Sequence, residues 1–416
     1  MNRLHAPWLA GAIAVLTACG STAGEPVQWS AHAREEAIAT AYTARLPAHD
    51  PEHQAIAITQ TVYAATREEN VAGAIILAPQ DPFIAYMAMH RMTHMPVNAP
   101  LLYLTREGRL GRATKSEMKR LHADGVVQDG KVQVYALGDV PPAAVEEIER
   151  DLKYKVRTLR AADPVAMAEL LDRWQAALKS DHPDEVVISA IDHPDGIAHG
   201  IGAMGFNAHM GKGFAWVYRD SIPALTRRIL ERRLGGAYMY LTGPSDVISD
   251  RVATELARYG LVHRVAGPTV YASNAVNAGY KDFGRNFGYW WDIVARDWGW
   301  GISQAGHNFI VGSADDLLGV IPAAVLGHMG KHGPMLLVDR DSVPTSVAEY
   351  LEMVRPYPSG PRETVLNHAW IIGDTSRLSW GVQREITQLL SPRRDKISAL
   401  AADEPGGHLQ ETAHGR

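Results

Sequence analysis

Cysteine is nearly absent: the chain of 416 residues has one, Cys19. A lone thiol excludes an internal disulfide framework and leaves no cysteine nucleophile for a catalytic core. Charge of one sign is lacking too. The formal net charge is −5 with no acidic or basic block, so neither a nucleic-acid partner nor a polybasic membrane patch is indicated. The apolar run from Trp8 to Leu16 is too short to span a bilayer. No G-x-S-x-G elbow and no H-E-x-x-H pair is present, so hydrolase chemistry has no visible carrier, and no cofactor motif appears. What remains is an ordinary globular composition, 46% hydrophobic and 21% charged, long enough for two or three compact units.

The first residues, "MNRLHAPWLAGAIAVLTACGS", join one basic residue, Arg3, to an apolar run and then small residues. That is the layout of a bacterial export signal, expected here over residues 1–18. "LTAC" at Leu16 to Cys19 resembles a lipobox, which implies cleavage before Cys19 and a diacylglycerol on its sulfur. The resemblance gives the single thiol a use. Gly20 rather than Asp follows it, so the inner-membrane retention signal of Gram-negative lipoproteins is missing. The expected location is therefore exported and lipid-anchored, at the outer membrane or the cell surface. Residues 19–52 are small, polar and aperiodic, and read as a tether.

Beyond the tether a pattern recurs three times. "AGAIILAPQDPFIAYMAMHRMTHM", "DEVVISAIDHPDGIAHGIGAMGFNAHM" and "HNFIVGSADDLLGVIPAAVLGHM" each give an apolar strand, an acidic turn and a helix ending in "HM". A second strand follows in each, then a helix, then a third strand ending at Gly138, Gly243 or Gly373. Short apolar strands alternating with longer helices argue for parallel sheets covered on both faces. The expected fold is α/β, with three tandem parallel-sheet repeats over 53–180, 181–300 and 301–391 in a pseudo-threefold arrangement, and a disordered tail over 392–416. The segment "PEHQAIAITQTVYAATREEN" looks like the closing helix of a repeat placed ahead of the first copy.

On these residues the chain resembles the cell wall-binding repeat 2 family. The matches are "DPFIAYMAM", "DGIAHGIGAM" and "DLLGVIPAAV" for the helix opening, "PLLYL" and "PMLLV" for the second strand, and "RVAGPTVYASNA" at Arg264 to Ala275 for the closing element. The chain departs from the family pattern where Asp139, Pro244 and Asp374 replace a second glycine. The resemblance implies non-covalent binding of an anionic or glycan cell-envelope polymer. No separate effector domain is visible beside the repeats, so the triplet itself would carry the function.

Several residues could make such a contact. Glycine-ended strands at Gly138, Gly243 and Gly373 turn backbone N–H groups outward and favour an anion, although a capped βα turn looks the same. Lys212 and Lys331 follow the "HM" pairs, Arg264 opens the closing element, and Arg106, Arg219 and Arg340 follow the second strands. Arginine offers phosphate or carboxylate a bidentate fork, yet such residues are also commonly solvated or ion-paired. The "RRILERR" run at Arg227 to Arg233 reads as a solvated helix face.

With 18 histidines, pairs at i, i+4 arise at His90/His94 and His328/His332, and Asp192, His193, Asp195 and His199 cluster in the middle copy. They raise a metal-dependent enzyme as an alternative, without a third-ligand pattern to support it. Asp81, Asp195 and Asp315 or Asp316 open the first turn of each copy, where helix capping is simpler than acid–base chemistry. The aromatic stretch over residues 280–309 reads either as a docking face for sugar or a protein partner, or as the buried stripe of a helix joining the second and third copies. Trp298 and Trp300, flanked by glycines, are the expected exposed members. The expected function is a non-catalytic polymer-binding envelope protein; a scaffold for a protein partner is the other alternative.

Overall fold

The computed structural model describes residues 38–282, 285–288, 292–295, 298–357 and 365–393; the side chains of residues 69, 285–288, 292–295, 330 and 331 are outside the description. Chain order opens with β1 (Thr43–Leu46) and α1 (Pro51–Val62). The first repeat runs β2 (Ile75–Ala78), α2 (Pro82–Met92), β3 (Leu101–Tyr103), α3 (Arg112–Leu121), β4 (Val134–Leu137), α4 (Pro142–Asp151), β5 (Val156–Leu159) and α5 (Pro164–Lys179). The second runs β6 (Glu185–Ala190), α6 (Gly196–Met210), β7 (Gly213–Val217), α7 (Ala224–Glu231), β8 (Ala237–Leu241), α8 (Asp250–Leu256), β9 (Gly260–Arg264) and α9 (Val270–Gly279).

A hairpin of β10 (Arg285–Gly288) and β11 (Asp292–Ala295) follows. The third repeat begins with β12 (Asn308–Ser313) and α10 (Leu317–Val320), continued by a 3₁₀ turn, α11 (Ala324–Leu326) and a π-helical turn at Gly327–Lys331. It ends with β13 (Met335–Val338), α12 (Thr345–Met353), β14 (His368–Ile372) and α13 (Trp380–Leu390).

The continuous apolar runs become buried central strands, as the sequence indicates. Each repeat forms a parallel four-stranded sheet in one order: β3-β2-β4-β5, β7-β6-β8-β9 and β13-β12-β14-β1. The third sheet takes its last strand from the start of the chain, with Thr43 opposite Ala369 and Leu46 opposite Ile372. This corrects the tether boundary, because residues 43–46 and the start of α1 lie inside the span 19–52. Short and half-polar, "TARL" carries little strand signal; its pairing to β14 comes from a partner more than 300 residues away.

The closing helices tie the units into a ring. Helix α5 packs on β7 and α7, α9 on β13 and α12, and α1 on β3 and α3. Each unit thus lends a helix to the next, the cyclic relation of a pseudo-threefold arrangement. Inside the ring the first helices meet: α6 packs against both α2 and α11, and α2 against the 3₁₀ turn that precedes α11.

Helix α6, "GIAHGIGAMGFNAHM", is buried along nearly its whole length, so its neighbours must approach from several sides. Three glycines make room. A Cβ on Gly200 would stand 1.9 Å from Tyr86 Oη, on Gly202 2.9 Å from Asn277 Cβ, and on Gly205 2.9 Å from Met335 Cγ. Asn274 of α9 reaches into the same helix. Its amide accepts from the Gly202 N–H at 2.5 Å and donates to the Ala198 carbonyl at 2.9 Å, the two groups an uninterrupted helix would pair with each other.

The first two units also share a buried ion network. Asp172 of α5 accepts from Arg233 at 2.6 Å and from Arg232 at 2.9 Å, with Arg91 of α2 at 3.6 Å. Burial alone would raise the Asp172 carboxyl; the hydrogen bond and charge of Arg233, then Arg91 and Arg232, outweigh it and bring it to about 2. The solvated-face reading of "RRILERR" is therefore corrected at Arg232 and Arg233. These two follow the end of α7 and turn inward to a carboxylate that would otherwise be buried uncompensated.

The glycine contacts give a test with a definite sign. Gly to Ala at a helix interior ordinarily gains about 1 kcal/mol. At Gly200 the new methyl must displace the buried Tyr86 ring, whose hydroxyl is hydrogen-bonded to Ser189 at 3.0 Å. Gly200→Ala is expected to lower stability by roughly 1–3 kcal/mol, the range for an overpacked core, read as a lower urea midpoint with unchanged slope.

Candidate functional site

In sheets with this strand order, crevices form past the carboxyl ends of the first and third strands, where the chain direction of the crossovers reverses. Two such crevices are present. One, of about 190 Å3, is bordered by Asp81, Gly138, Asp139 and Asp163. Its counterpart in the second repeat, of about 410 Å3, is bordered by Asp195, His199, Asp246, Thr269, Tyr271 and Asp315. At the third equivalent place Arg377 pairs with Asp316 at 3.5 Å, and His49 pairs with Asp374.

The expected anion contacts at this end of the sheets are engaged with the protein itself. Gly138 and Gly373 adopt φ of +76° and +102°, the left-handed turns that glycine allows. Arg264 donates to the Gly243 carbonyl at 2.6 Å and pairs with Asp250 at 2.9 Å. Arg219 donates to the Asp246 carbonyl at 2.7 Å and Arg340 to the Ser376 carbonyl at 2.9 Å, and each pairs with the Asp that follows it. These three arginines tie one loop to the next. Arg106 is exposed, and its charge acts on Glu107.

Capping explains only one of the recurrent aspartates. Asp81 accepts from the N–H groups of Phe83 and Ile84, whereas Asp195 and Asp316 make no side-chain cap. All three closing helices are capped by a side chain, at Asp50, Asp163 and Thr269, and Ser249 and Ser379 cap α8 and α13.

The opposite end of the ring differs. The "HM" pairs stand at the carboxyl ends of the three inner helices, and because those helices pack together the histidines converge. His94 and His328 rings lie 5.1 Å apart, and His209 lies 4.5 Å from His332. The three repeats thus bring these histidines into one cluster and not to three separate places. Lys212 pairs with Glu185 at 2.9 Å. Lys331 closes the π turn, and its side chain is outside the described residues.

Beside this cluster the two expected tryptophans part company. Trp298 is 1% exposed and stacks on Tyr240 at 3.9 Å, so its expected exposure is corrected: the flanking Gly299 turns the chain after a core anchor. Gly299, at φ +97°, then presents Trp300 to a cleft of about 210 Å3. Trp300 stacks on His209 at 5.2 Å with Phe206 at its edge. Lys281, His307 and His332 complete the rim, and among the described residues no Asp or Glu lines it. The helix reading of the aromatic stretch is corrected as well, since Phe287 and Val294 belong to the antiparallel strands β10 and β11; Trp290 and Trp291 are outside the described residues.

The i, i+4 histidine pairs do not act as pairs. His90 is buried, stacked on Phe214 at 4.3 Å and bonded to Asn207, while His94 faces His328. Among the described residues no group of three or more His, Cys, Asp or Glu side chains is placed to hold a metal ion. Sequence reasoning missed Arg45, the register equivalent of Arg264, which donates to the Gly373 carbonyl at 2.8 Å. It missed Lys179, Lys281, Phe206 and His307 altogether; the recurrence of "HM" was the signal that could have led to them.

Burial disfavours the charged forms of His94 and His328. His328 is lowered to about 4 by burial and then by the neighbouring His94 and His209, and His94 is lowered by burial, with Lys179 and Lys212 adding to the effect. A histidine depressed below its ordinary value of about 6.5 leaves stability intact above that pH. Below it these two imidazoles take up protons in the unfolded chain that they refuse in the folded one, so stability falls as pH drops from about 6.5 toward 4. Urea midpoints across this range should decline, and His328→Gln should flatten the decline; a pH-independent midpoint would contradict the reading.

No family model matches the chain, and no curated protein matches it. Solved structures share its fold, and two of them are cell wall proteins by name. Cwp6 from Clostridium difficile superimposes with a TM-score of 0.63 at 16% identity, over 85% of this chain and 48% of that one. Cwp8 from Clostridium difficile gives 0.63 at 17% identity, over 84% and 52%. The chain spans about half the length of these structures, and the likeness is one of fold: α/β, with three repeats.

Proposed function

We propose that this chain is a non-catalytic protein of the cell envelope, lipid-anchored through Cys19, that binds an anionic or glycan cell-wall polymer. The observation that carries the reading is the lining of the cleft at Trp300. It combines an aromatic face with Lys281, His209, His307 and His332 and, among the described residues, has no carboxylate in its lining, whereas the crevices past the strand ends are bordered by several aspartates. Aromatic rings offer sugars an apolar platform, and the basic rim favours acidic units. The resemblance to cell wall-binding repeats and the shared three-unit fold support the same class of ligand.

On this reading the contact moves away from the glycine turns. Gly138, Gly243, Gly373, Arg264, Arg219 and Arg340 shape and fasten loops, and the polymer meets the basic end of the ring. Residues 1–37, Cys19 among them, are outside the described residues, so the anchor rests on the lipobox resemblance.

The full chain should co-sediment with purified envelope polysaccharide, and the retained fraction should fall as salt is raised. Trp300→Ala should weaken retention roughly three- to tenfold, the scale of one aromatic contact. Retention on no envelope fraction would sink the proposal. A single protein that co-purifies and is released by Trp300→Ala, but not by competing polysaccharide, would favour the scaffold instead. For the anchor, Cys19→Ser should shift the protein from the membrane fraction to the soluble fraction.

A further inference from the structure

The second crevice past the strand ends and the third equivalent place are built on one frame and differ at one residue. "GPSDVIS" at Gly243 to Ser249 follows β8, and "GDTSRLS" at Gly373 to Ser379 follows β14. Contacts put the two loops in the same register. Arg219 and Arg340 donate to the carbonyl of the fourth residue in each, Asp246 or Ser376, and Ser249 and Ser379 cap the helix that comes next. Val247 Cγ1 and Arg377 Cβ lie 2.5 and 2.8 Å from where a Cβ on Gly243 or Gly373 would stand. Val247 therefore occupies the place of Arg377.

In the third unit the Arg377 guanidinium is held by two acceptors. Its Nε lies 3.5 Å from the Asp316 carboxylate, and its Nη2 donates to the His49 carbonyl at 3.1 Å. Both have counterparts in the second unit. Asp195 precedes α6 as Asp316 precedes α10, and Pro268 stands before the cap residue of α9 as His49 stands before that of α1. Asp195, Pro268 and Val247 all border the crevice, so the frame is kept while its cation is missing, and a space of about 410 Å3 is left.

The rest of the wall also accepts. Asp246 and Asp315 bring two more carboxylates, and among the described residues no Lys or Arg pairs with the side chain of Asp195, Asp246 or Asp315. His199, only 4% exposed, borders the same space. Burial lowers its pKa and favours the neutral ring. Ser273 Oγ gives its proton to the Gly267 carbonyl at 3.2 Å, so His199 Nδ1 donates to Ser273 at 2.8 Å and Nε2 is left as an acceptor without a partner among the described residues. Aspartates at helix starts are ordinarily caps, but Asp195 makes no side-chain cap.

We propose that this crevice binds a guanidinium group supplied from outside the fold, held by Asp195 and the Pro268 carbonyl as Arg377 is held in the third unit. Guanidinium carries five donors and no acceptor, which suits a wall made of acceptors. A free small molecule and an arginine side chain of a peptide carry the same group. The site lies at the other end of the ring from the Trp300 cleft and does not depend on the polymer reading.

Calorimetric titration of the full chain with methylguanidinium, a blocked glycyl-arginyl-glycine peptide and methylammonium tests this. One guanidinium should bind per chain, and Asp195→Asn should weaken it about tenfold, the scale of a charge-assisted hydrogen bond. Val247→Arg supplies the chain's own guanidinium to the frame and should abolish binding. Asp195→Asn alters an exposed side chain and should keep the wild-type urea midpoint, so it separates lost binding from lost folding if Val247→Arg is destabilised. Binding of methylguanidinium supports a free ligand, and binding of the peptide alone supports an arginine side chain. Equal binding of methylammonium, wild-type affinity in Asp195→Asn, or no binding of either guanidinium at millimolar concentration would overturn the site. Both variants should retain envelope polysaccharide as the wild type does, so the polymer reading is left to its own test.

Discussion

Helix α6 has to be buried on several sides at once, and the rest of the architecture follows from how that is achieved. A helix with no solvent face can be packed closely only if its surface is nearly smooth, and Gly200, Gly202 and Gly205 give one smooth place each to α2, α9 and β13. The Asn274 amide then locks the register between α6 and α9 by taking a donor and an acceptor from the helix backbone. Once α6 is placed, the inner helices of the other two units can reach it, and the three sheets are held outside them. The ring is thus organised from its centre.

This centre gives the two ends of the ring different chemistry. Past the carboxyl ends of the strands, aspartates border the crevices and arginines fasten the loops. At the other end the inner helices finish together, and each brings a histidine to the axis. Repetition is usually taken to multiply a site, but when the repeated element lies near a symmetry axis it concentrates one. The same three residues that would be far apart in a linear array become neighbours within about one side-chain length.

Much of the fold was legible in the sequence because buried parallel strands are continuous apolar runs, and three of them in the same order are hard to mistake. The part that escaped was β1, whose "TARL" has no such run and is a strand only because β14 offers it an edge. The site was legible in its types and not in its places. The "HM" pairs were seen to be equivalent, but one-dimensional spacing carries no information about convergence on an axis. Glycines around Trp298 and Trp300 suggested exposure for both, yet a glycine marks a turn and does not say which side of the turn faces the core. Arg232 and Arg233 likewise looked solvated, because the carboxylate they meet is some 60 positions earlier in the chain.

The parallel pairing of β1 with β14 has a consequence for how the molecule comes into being. The strand made first is the edge of the sheet made last, so during synthesis β1 must wait, unpaired, until more than 300 further residues have emerged, while α1 can already dock on β3 and α3. Contacts of such long sequence separation slow folding, since the loop they close must be gathered before they reward it. The first two units can assemble as they appear, but the ring stays open, and its third sheet lacks an edge, until the two ends of the folded region find each other. Completion of the fold is thereby a signal that the whole repeat set has been made.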